Sequence, residues 1–453
     1  MNAPDLLSTP EAELKTVQQG IVKTVDEGKK QPEFKAAVGL SREWDARKAG
    51  REVAEDTLKK LDGKKPDFFL LFTTIHYEKH GGFKEFLRGV WEVLPEGTPL
   101  IGGTVAGFMN NQGCYTRGAT AMAVSYPNMD VAVGIGHNTK RAPRIAAKDC
   151  AYMINKKLEN SQNKNKFYLS FVSGGKVPPI PFIGKRRVIK SFFGISSFLL
   201  FFDRLCSVLQ IGPGRDEDVF DELAKNLKGF KGVGGTSCDD LQLEKNTQFF
   251  MKKTFSDSVV SVGVYCDREI SVSSENGLNP SGKQFTINKR AGGGYILERI
   301  NNKPAVQGYL ETMGWPEDLL DERLYRKVFY YPFIQKNTIS LQSPRMLGLV
   351  YANKFICAAK PLESTDAEVY TSSGKSMIES INKLFTDKKP DFSFLVSCGT
   401  RMETLGSKVY YIKNILDGKL SDKYLLVYTG GEFLKTAEDE SAFMYQSDNA
   451  LLI

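Results

Sequence analysis

Short apolar runs alternate with amphipathic stretches along most of this chain. Runs at 68–72, 119–124 and 167–172, bounded by Gly, Pro and charged residues, predict buried strands. The stretches between them carry helical spacing. Ser41 is placed to cap a helix whose Trp44, Ala46, Val53, Leu58 and Leu61 fall on one side. A second helix near 83–93 precedes a strand that enters Leu100-Ile101-Gly102-Gly103-Thr104. Strands at 119–124 and 130–135 then follow with no helix between them, so part of the sheet is antiparallel.

The grammar recurs. A helix at 146–158 leads to the strand 167–172. After an insertion, a helix at 216–230 with Val219, Phe220, Leu223 and Leu227 at helical spacing leads to Gly232-Val233-Gly234-Gly235-Thr236. In a third round, Lys388-Lys389-Pro390-Asp391-Phe392 echoes Lys64-Lys65-Pro66-Asp67-Phe68, each before an apolar strand. Both prolines sit at a strand entry, where a missing N–H costs little. Residues 280–344 separate a β-rich middle from a C-terminal α/β part. The expected fold is α/β (mixed α+β), with duplicated units of mixed sheets covered by helices in a two-part module. Its parts are a polar lead-in at 1–33, an N-terminal domain at 34–290 with an insertion at 177–211, and a C-terminal domain at 291–453.

Composition changes the picture only by exclusion. The net charge of +8, from 61 Lys+Arg against 53 Asp+Glu, is a mild excess without an arginine-rich arm, so no nucleic-acid partner is expected. Seven dispersed cysteines without a Cys-x-x-Cys pair suit reduced thiols. The polar, acidic start lacks a secretory signal, and no run approaches the roughly 18 apolar residues of a membrane span. A cytoplasmic protein is expected.

Candidate chemistry gathers at strand ends. The turns at Gly102-Gly103 and Gly234-Gly235 let backbone approach a ligand, or are tight turns. Asp239 and Asp240 are placed to accept from an ammonium, or to serve a solvated loop. Arg401 would grip a carboxylate with two parallel bonds, or form a structural ion pair, with Glu432 as a candidate partner. Cys398 reads as a core residue rather than a nucleophile, with no histidine near it in sequence. Gly374-Lys375-Ser376 lacks the upstream glycine of a phosphate loop, and Ser372 or Ser373 as a helix cap accounts for it. His76, His80 and His137 complete no metal set. The insertion carries Lys185-Arg186-Arg187 before an apolar stretch at 188–211, which suits a lid or a homodimer contact, with peripheral membrane contact through 185–211 as the alternative. No nucleophile–base pair is visible, so no enzyme is expected.

The order of these features resembles the FIST family. The resemblance rests on Pro66-Asp67, on Leu100-Ile101-Gly102-Gly103-Thr104-Val105-Ala106-Gly107 and on Gly234-Gly235-Thr236-Ser237-Cys238-Asp239-Asp240-Leu241. Ser397-Cys398-Gly399-Thr400-Arg401 and Tyr428-Thr429-Gly430-Gly431-Glu432-Phe433 extend it to the C-terminal part, although the family's usual Cys-x-Gly-Arg has its glycine moved by one place. The resemblance implies an intracellular sensory module for a small molecule such as an amino acid or related carboxylate, signalling through a separate output protein. It also leaves open a haem-bound gas sensor with one histidine as axial ligand. The expected ligand contacts are Gly102, Gly103, Thr104, Gly107, Gly234, Gly235, Thr236, Asp239, Asp240, Cys398, Arg401, Gly431 and Glu432, all at the ends of apolar strands. One cleft shared by the two parts, faced by Arg401 or Glu432, would hold them together.

Overall fold

Residues 32–177, 188–189, 208–210, 212, 214–336, 344–351, 353–357, 364–385, 389–420, 422–436, 438 and 440–453 are described by the computed structural model. All but the last two residues of the expected lead-in lie outside that set. So does most of the insertion, and with it the expected lid, dimer or membrane role of 188–211. Phe34–Ile453 forms one unit by its internal contacts.

The chain begins with β1 (Lys35–Ser41), helix α1 (Ala46–Lys60), β2 (Phe68–Thr73), α2 (Phe83–Trp91) and β3 (Leu100–Thr104). A hairpin of β4 (Gly107–Asn110) and β5 (Gly113–Tyr115) precedes β6 (Ala119–Ser125). The second round is β7 (Met129–His137), α3 (Pro143–Leu158), β8 (Asn165–Ser173), a short β9 (Val188–Ile189), α4 (Asp216–Asn226) and β10 (Lys231–Ser237). It closes with the hairpin β11 (Gln248–Phe250) and β12 (Lys253–Phe255), then β13 (Ser258–Cys266). After β14 (Ser271–Glu275) comes a self-contained piece. It holds β15 (Asn279–Ala291), β16 (Ile296–Ile300), β17 (Lys303–Pro304), α5 (Ala305–Met313), α6 (Glu322–Val328), β18 (Phe333–Gln335), β19 (Leu347–Tyr351), β20 (Lys354–Cys357) and β21 (Asp366–Thr371). These strands and β9 make an eight-stranded sheet with its own core. The third round resumes with α7 (Gly374–Lys383), β22 (Ser393–Cys398), α8 (Gly399–Leu405), α9 (Val409–Lys419) and β23 (Tyr424–Thr429). The hairpin β24 (Glu432–Lys435) and β25 (Ser441–Met444) and finally β26 (Asp448–Leu452) complete it.

Three six-stranded sheets have the same order. They read β1-β6-β2-β3-β11-β12, β7-β13-β8-β10-β24-β25 and β14-β26-β22-β23-β4-β5. In each, only the third and fourth strands run parallel and every other neighbouring pair is antiparallel. In each, too, the outer hairpin comes from another round of the chain. The first sheet takes the hairpin of the second round, the second that of the third, and the third that of the first. The unit recognised as duplicated therefore occurs three times.

The exchange is pinned where the strands end. Cys238 N–H donates to Thr104 C=O at 3.1 Å, Gly430 N–H to Thr236 C=O at 3.0 Å, and Ala106 N–H to Tyr428 C=O at 2.9 Å. These three bonds close a ring through the segments that follow β3, β10 and β23. Below it, the inner faces of the three sheets share one core. Phe72, Phe171 and Phe394, one from each sheet, meet there with ring centroids 4.7, 5.7 and 6.0 Å apart. Full burial of each contributes about 1.5–3 kcal/mol of gross transfer free energy.

Several local expectations change. The cap of α1 is Asp45, whose carboxylate accepts from Lys48 N–H at 2.9 Å. Ser41 instead ends β1 and donates to Glu52 at 2.6 Å, and Trp44 precedes the helix with half its surface exposed. Ser373 does cap α7, in a reciprocal box with Ser376. The antiparallel strands β6 and β7 pair in different sheets, not with each other. The boundary expected at 290/291 falls inside β15. Among the described residues no helix is long and apolar enough to cross a membrane.

Arg401 is a correction of another kind. Its guanidinium has no exposed surface. It pairs with Asp448 at 2.6 Å, and donates to Asn276 C=O at 2.7 Å, Gln446 C=O and Met377 C=O at 2.9 Å, and Ser380 Oγ at 2.8 Å. It ties α8 to α7, to the end of β14 and to the β25–β26 turn, and both terminal nitrogens of its fork are taken up by the protein. The structural ion pair is the reading that holds, with Asp448 as partner rather than Glu432.

Two outcomes follow from this architecture. A fragment covering 34–290 lacks the outer hairpin of the second sheet and leaves β4–β5 without a sheet. It is expected to melt without a cooperative transition and to bind a hydrophobic dye, and a sharp calorimetric transition would contradict the exchange. Removing one member of a buried pair strands the other, so Arg401→Leu is expected to cost about 3–5 kcal/mol in chemical denaturation. An unchanged midpoint would return Arg401 to the list of ligand contacts.

Candidate functional site

Because the segments after β3, β10 and β23 meet in the ring, the residues just beyond them wall a common region. Open α/β sheets leave their crevices outside the carboxyl ends of the strands, and here three hollows lie there. The one that touches all three segments of the ring, called the main cleft below, has a volume of about 590 Å³. Ala106, Cys238, Asp240 and Leu241 line one side. Cys398, Thr400, Met402, Thr429 and Gly430 line another, and Tyr325, Phe329 and Tyr330, from α6 and the turn after it, form a third. A smaller cavity of about 90 Å³ adjoins it across Cys238, Leu243, Gly430 and Tyr445. A third hollow, of about 680 Å³ and bordered by His76, Glu78, Lys79, His80 and Arg117, adjoins the main cleft across Ala106, Asp240 and Gln242.

The loop after β10 is the shared wall of all three. Leu241 and Leu243 have φ of 64° and 54°, in the left-handed region that costs a side-chain-bearing residue roughly 1–3 kcal/mol. Asp239 holds them there. Its buried carboxylate accepts from the N–H groups of Leu243 at 2.9 Å, Glu244 at 2.6 Å and Lys245 at 3.2 Å. Strain of this kind collects at binding sites, where surrounding structure over-determines the loop.

The structure sorts the residues singled out from sequence. Asp240 and Cys398 line the main cleft, Asp240 and Asp239 the third hollow, and Thr236 and Asp239 the small cavity. The remaining ones pack elsewhere. A Cβ on Gly102 would lie 1.8 Å from Leu71 O, and one on Gly234 2.3 Å from Ser170 O, so these glycines let strands and side chains close up. Gly103 is held against Thr247 and Ser237, Gly235 against Thr429, Gly107 against Met402 and Tyr115, and Gly431 against Phe443. Thr104 Oγ1 accepts from Thr247 N–H. Glu432 lies buried beside Thr429 and Ser447. The aromatic wall from α6 and the residues Leu241, Leu243 and Met402 were not expected. The i, i+4 pair Tyr325 and Phe329 was the only hint of that wall, and it reads equally as core.

Burial disfavours the charged forms of three groups here. It pushes the Cys398 thiol up to about 12, helped by nearby Glu432, and the Cys238 thiol well above its usual value. It also raises the Glu432 carboxyl well above the carboxylate range. A nucleophilic cysteine needs the opposite shift and a base beside it. The histidines sit apart from the cleft. His76 shares a hydrogen bond of 2.8 Å with Thr74 Oγ1, and burial lowers its pKa to about 4. His137 lies 2.9 Å from Ser258 Oγ. The charged hollow around His76 and His80 does not suit a haem face, whose slot needs apolar walls. Among the described residues no group of three or more His, Cys, Asp or Glu is placed to hold a metal ion.

The FIST N domain matches residues 67–303, just over half of the chain. No curated protein sequence matches it. Among solved structures, a cyanuric acid hydrolase, described as an evolutionary innovation by structural concatenation, aligns over 92% of this chain and 99% of its own. Its identity of 8% and TM-score of 0.32 are too low to carry any argument. Over the matched residues run the first round from β2 onward, the whole second round and the loop that walls all three hollows, and the chain belongs to the FIST family of sensory domains.

Proposed function

We propose that this protein is a small-molecule sensor whose ligand occupies the 590 Å³ cleft. One observation carries the reading. The walls of that cleft come from the strand ends of all three rounds and from the helical piece inserted between β14 and α7, so a ligand there touches all of them at once. Its volume falls within the roughly 300–1,000 Å³ of small-molecule sites. Leu241, Phe329, Met346 and Met402 supply apolar wall, while Asp240 and the Arg326–Glu403 pair supply charge at the rim. That mixture suits an amino acid or a related small carboxylate, with an apolar body inward and its charges outward. Recognition is favoured over turnover, because the thiols that face the cleft are held protonated and no histidine lines it. The output passes to a separate protein, which reads the spacing of elements around the occupied cleft.

The test is a thermal-shift and calorimetry panel of amino acids and small carboxylates on the full chain. A ligand at a hundred times its Kd adds about 2.7 kcal/mol, enough to raise Tm measurably. Gly430 borders both the main cleft and the small cavity, and a Cβ there meets only ordinary contacts at 3.5 Å or more. Gly430→Leu is therefore expected to keep the free protein's Tm and to weaken binding by about tenfold or more, near 1.4 kcal/mol. Unchanged affinity in that variant would move the ligand elsewhere, and steady turnover of the bound compound would make the protein an enzyme.

A further inference from the structure

Two groups that line the small cavity are left without a full set of partners, the Ser237 hydroxyl and the Asp216 carboxylate, and only the second can carry charge. Asp216, the first residue of α4, is only 3% exposed. Its Oδ2 accepts from Thr236 Oγ1 at 2.9 Å, and its Oδ1 has no hydrogen-bond partner. The other two acids in that first turn are matched. Glu217 pairs with Arg345 at 2.7 Å, and Asp218 with Arg215 at 2.6 Å and with Tyr295 Oη at 2.9 Å. An unmatched carboxylate oxygen buried at this depth costs free energy that folding alone does not recover.

The surroundings make room beside that oxygen. Gly174, Gly175, Gly212 and Gly214 all line the cavity, and a Cβ on Gly214 would lie 2.8 Å from Asp216 Oδ1. A side chain there would fill the space the carboxylate faces. Glycine-rich loops at a helix N-terminus ordinarily suit an anion, but here Asp216 occupies that position and repels one. With about 90 Å³ the cavity takes a head group and not a whole ligand, and it opens toward the main cleft across Cys238, Leu243, Gly430 and Tyr445.

We infer that this cavity is a subsite for a cationic nitrogen, a primary ammonium or amidinium, whose N–H donates to Asp216 Oδ1 while the rest of the ligand lies in the main cleft. The inference rests on the cleft being the sensor site and specifies which end of the ligand goes inward. An N–H donor fits better than a metal ion, because among the described residues no set of ligands surrounds the carboxylate. Lys176, Lys245 and Asp239 line the cavity too, but Lys176 is paired with Asp257 at 2.8 Å, Lys245 with Glu78 at 2.8 Å, and Asp239 is taken up by three backbone N–H groups, so the charge there turns on Asp216. Burial raises its pKa to about 6, Lys140 draws it down and Asp218 pushes it up, while Thr236 steadies the ionised form.

The experiment compares 2-phenylethylammonium with the isosteric 2-phenylethanol by calorimetry on the full chain. The wild type is expected to bind the amine about tenfold or more tightly. Asp216→Asn keeps the bond from Thr236 and should bring the amine down to the affinity of the alcohol, whose own binding stays unchanged and reports an intact cleft. Since the amine remains protonated throughout, its advantage should fade as pH drops through about 6 and Asp216 loses its charge. Equal binding of the two probes by the wild type overturns the subsite and leaves the cleft reading standing. An amine preference that survives Asp216→Asn, or binding of neither probe at millimolar concentration, also overturns it. The panel of amino acids and carboxylates with Gly430→Leu decides the cleft separately.

Discussion

Three backbone hydrogen bonds, Cys238 to Thr104, Gly430 to Thr236 and Ala106 to Tyr428, hold the architecture together. Each joins the segment after one parallel strand to the carbonyl of a parallel strand in another round, and the three close a ring. No round can satisfy its own share, because a buried N–H left unpaired costs more than one hydrogen bond contributes. Beyond the ring each chain segment enters its hairpin, and the hairpin completes the next sheet. The sheets therefore depend on one another in a cycle, which explains why 34–453 packs as one unit although the sequence reads as repeats. Contacts as distant in sequence as β4 with β23 must form before the core closes, and such topology folds slowly.

The ring also decides where the hollows form. Strand ends that converge leave side chains and amides just past the ladder with no sheet partner, and the three hollows open there. The helical piece between β14 and α7 converts a shallow convergence into a walled cleft by adding Tyr325, Phe329 and Tyr330. The loop from Cys238 to Lys245 runs between the hollows with two leucines in left-handed backbone, and Asp239 keeps them there. A loop so constrained has little freedom left to lose, and preorganisation of this kind reduces the entropy cost of any association made through it.

Much of this was legible in the residues. Periodicity located β2, β8, α3 and α4, and the repeated Lys-Lys-Pro-Asp-Phe marked β2 and β22, which hold the same place in their sheets. The glycine pairs announced close approach, and close approach is what they provide. What they approach is Leu71, Ser170 and Thr429, and a glycine carries no information about its neighbour. The hairpin exchange left no local trace, since β4, β11 and β24 read the same whichever sheet they join. Arg401 illustrates the same blindness. An arginine after a buried strand suits a ligand or an ion pair equally, and the choice was made by Asp448, 47 residues downstream in sequence and 2.6 Å away in space.

The cleft's electrostatics differ from those its sequence suggested. Arg401 is spent on Asp448 and burial raises the Glu432 carboxyl well above the carboxylate range, and neither lines the main cleft, whereas Asp240 of the same expected set does. The main cleft is left with neutral thiols, hydroxyls and apolar side chains, and charge is confined to its rim and to the adjoining cavity. Such a distribution discriminates by shape along the body of a ligand and by charge at its ends. A low dielectric makes the second term steep, because an end group without its complement loses its hydration and gains nothing in return. Selectivity in a site of this design rests on the few polar groups that stay charged or unmatched, not on the glycine turns that first drew attention to it.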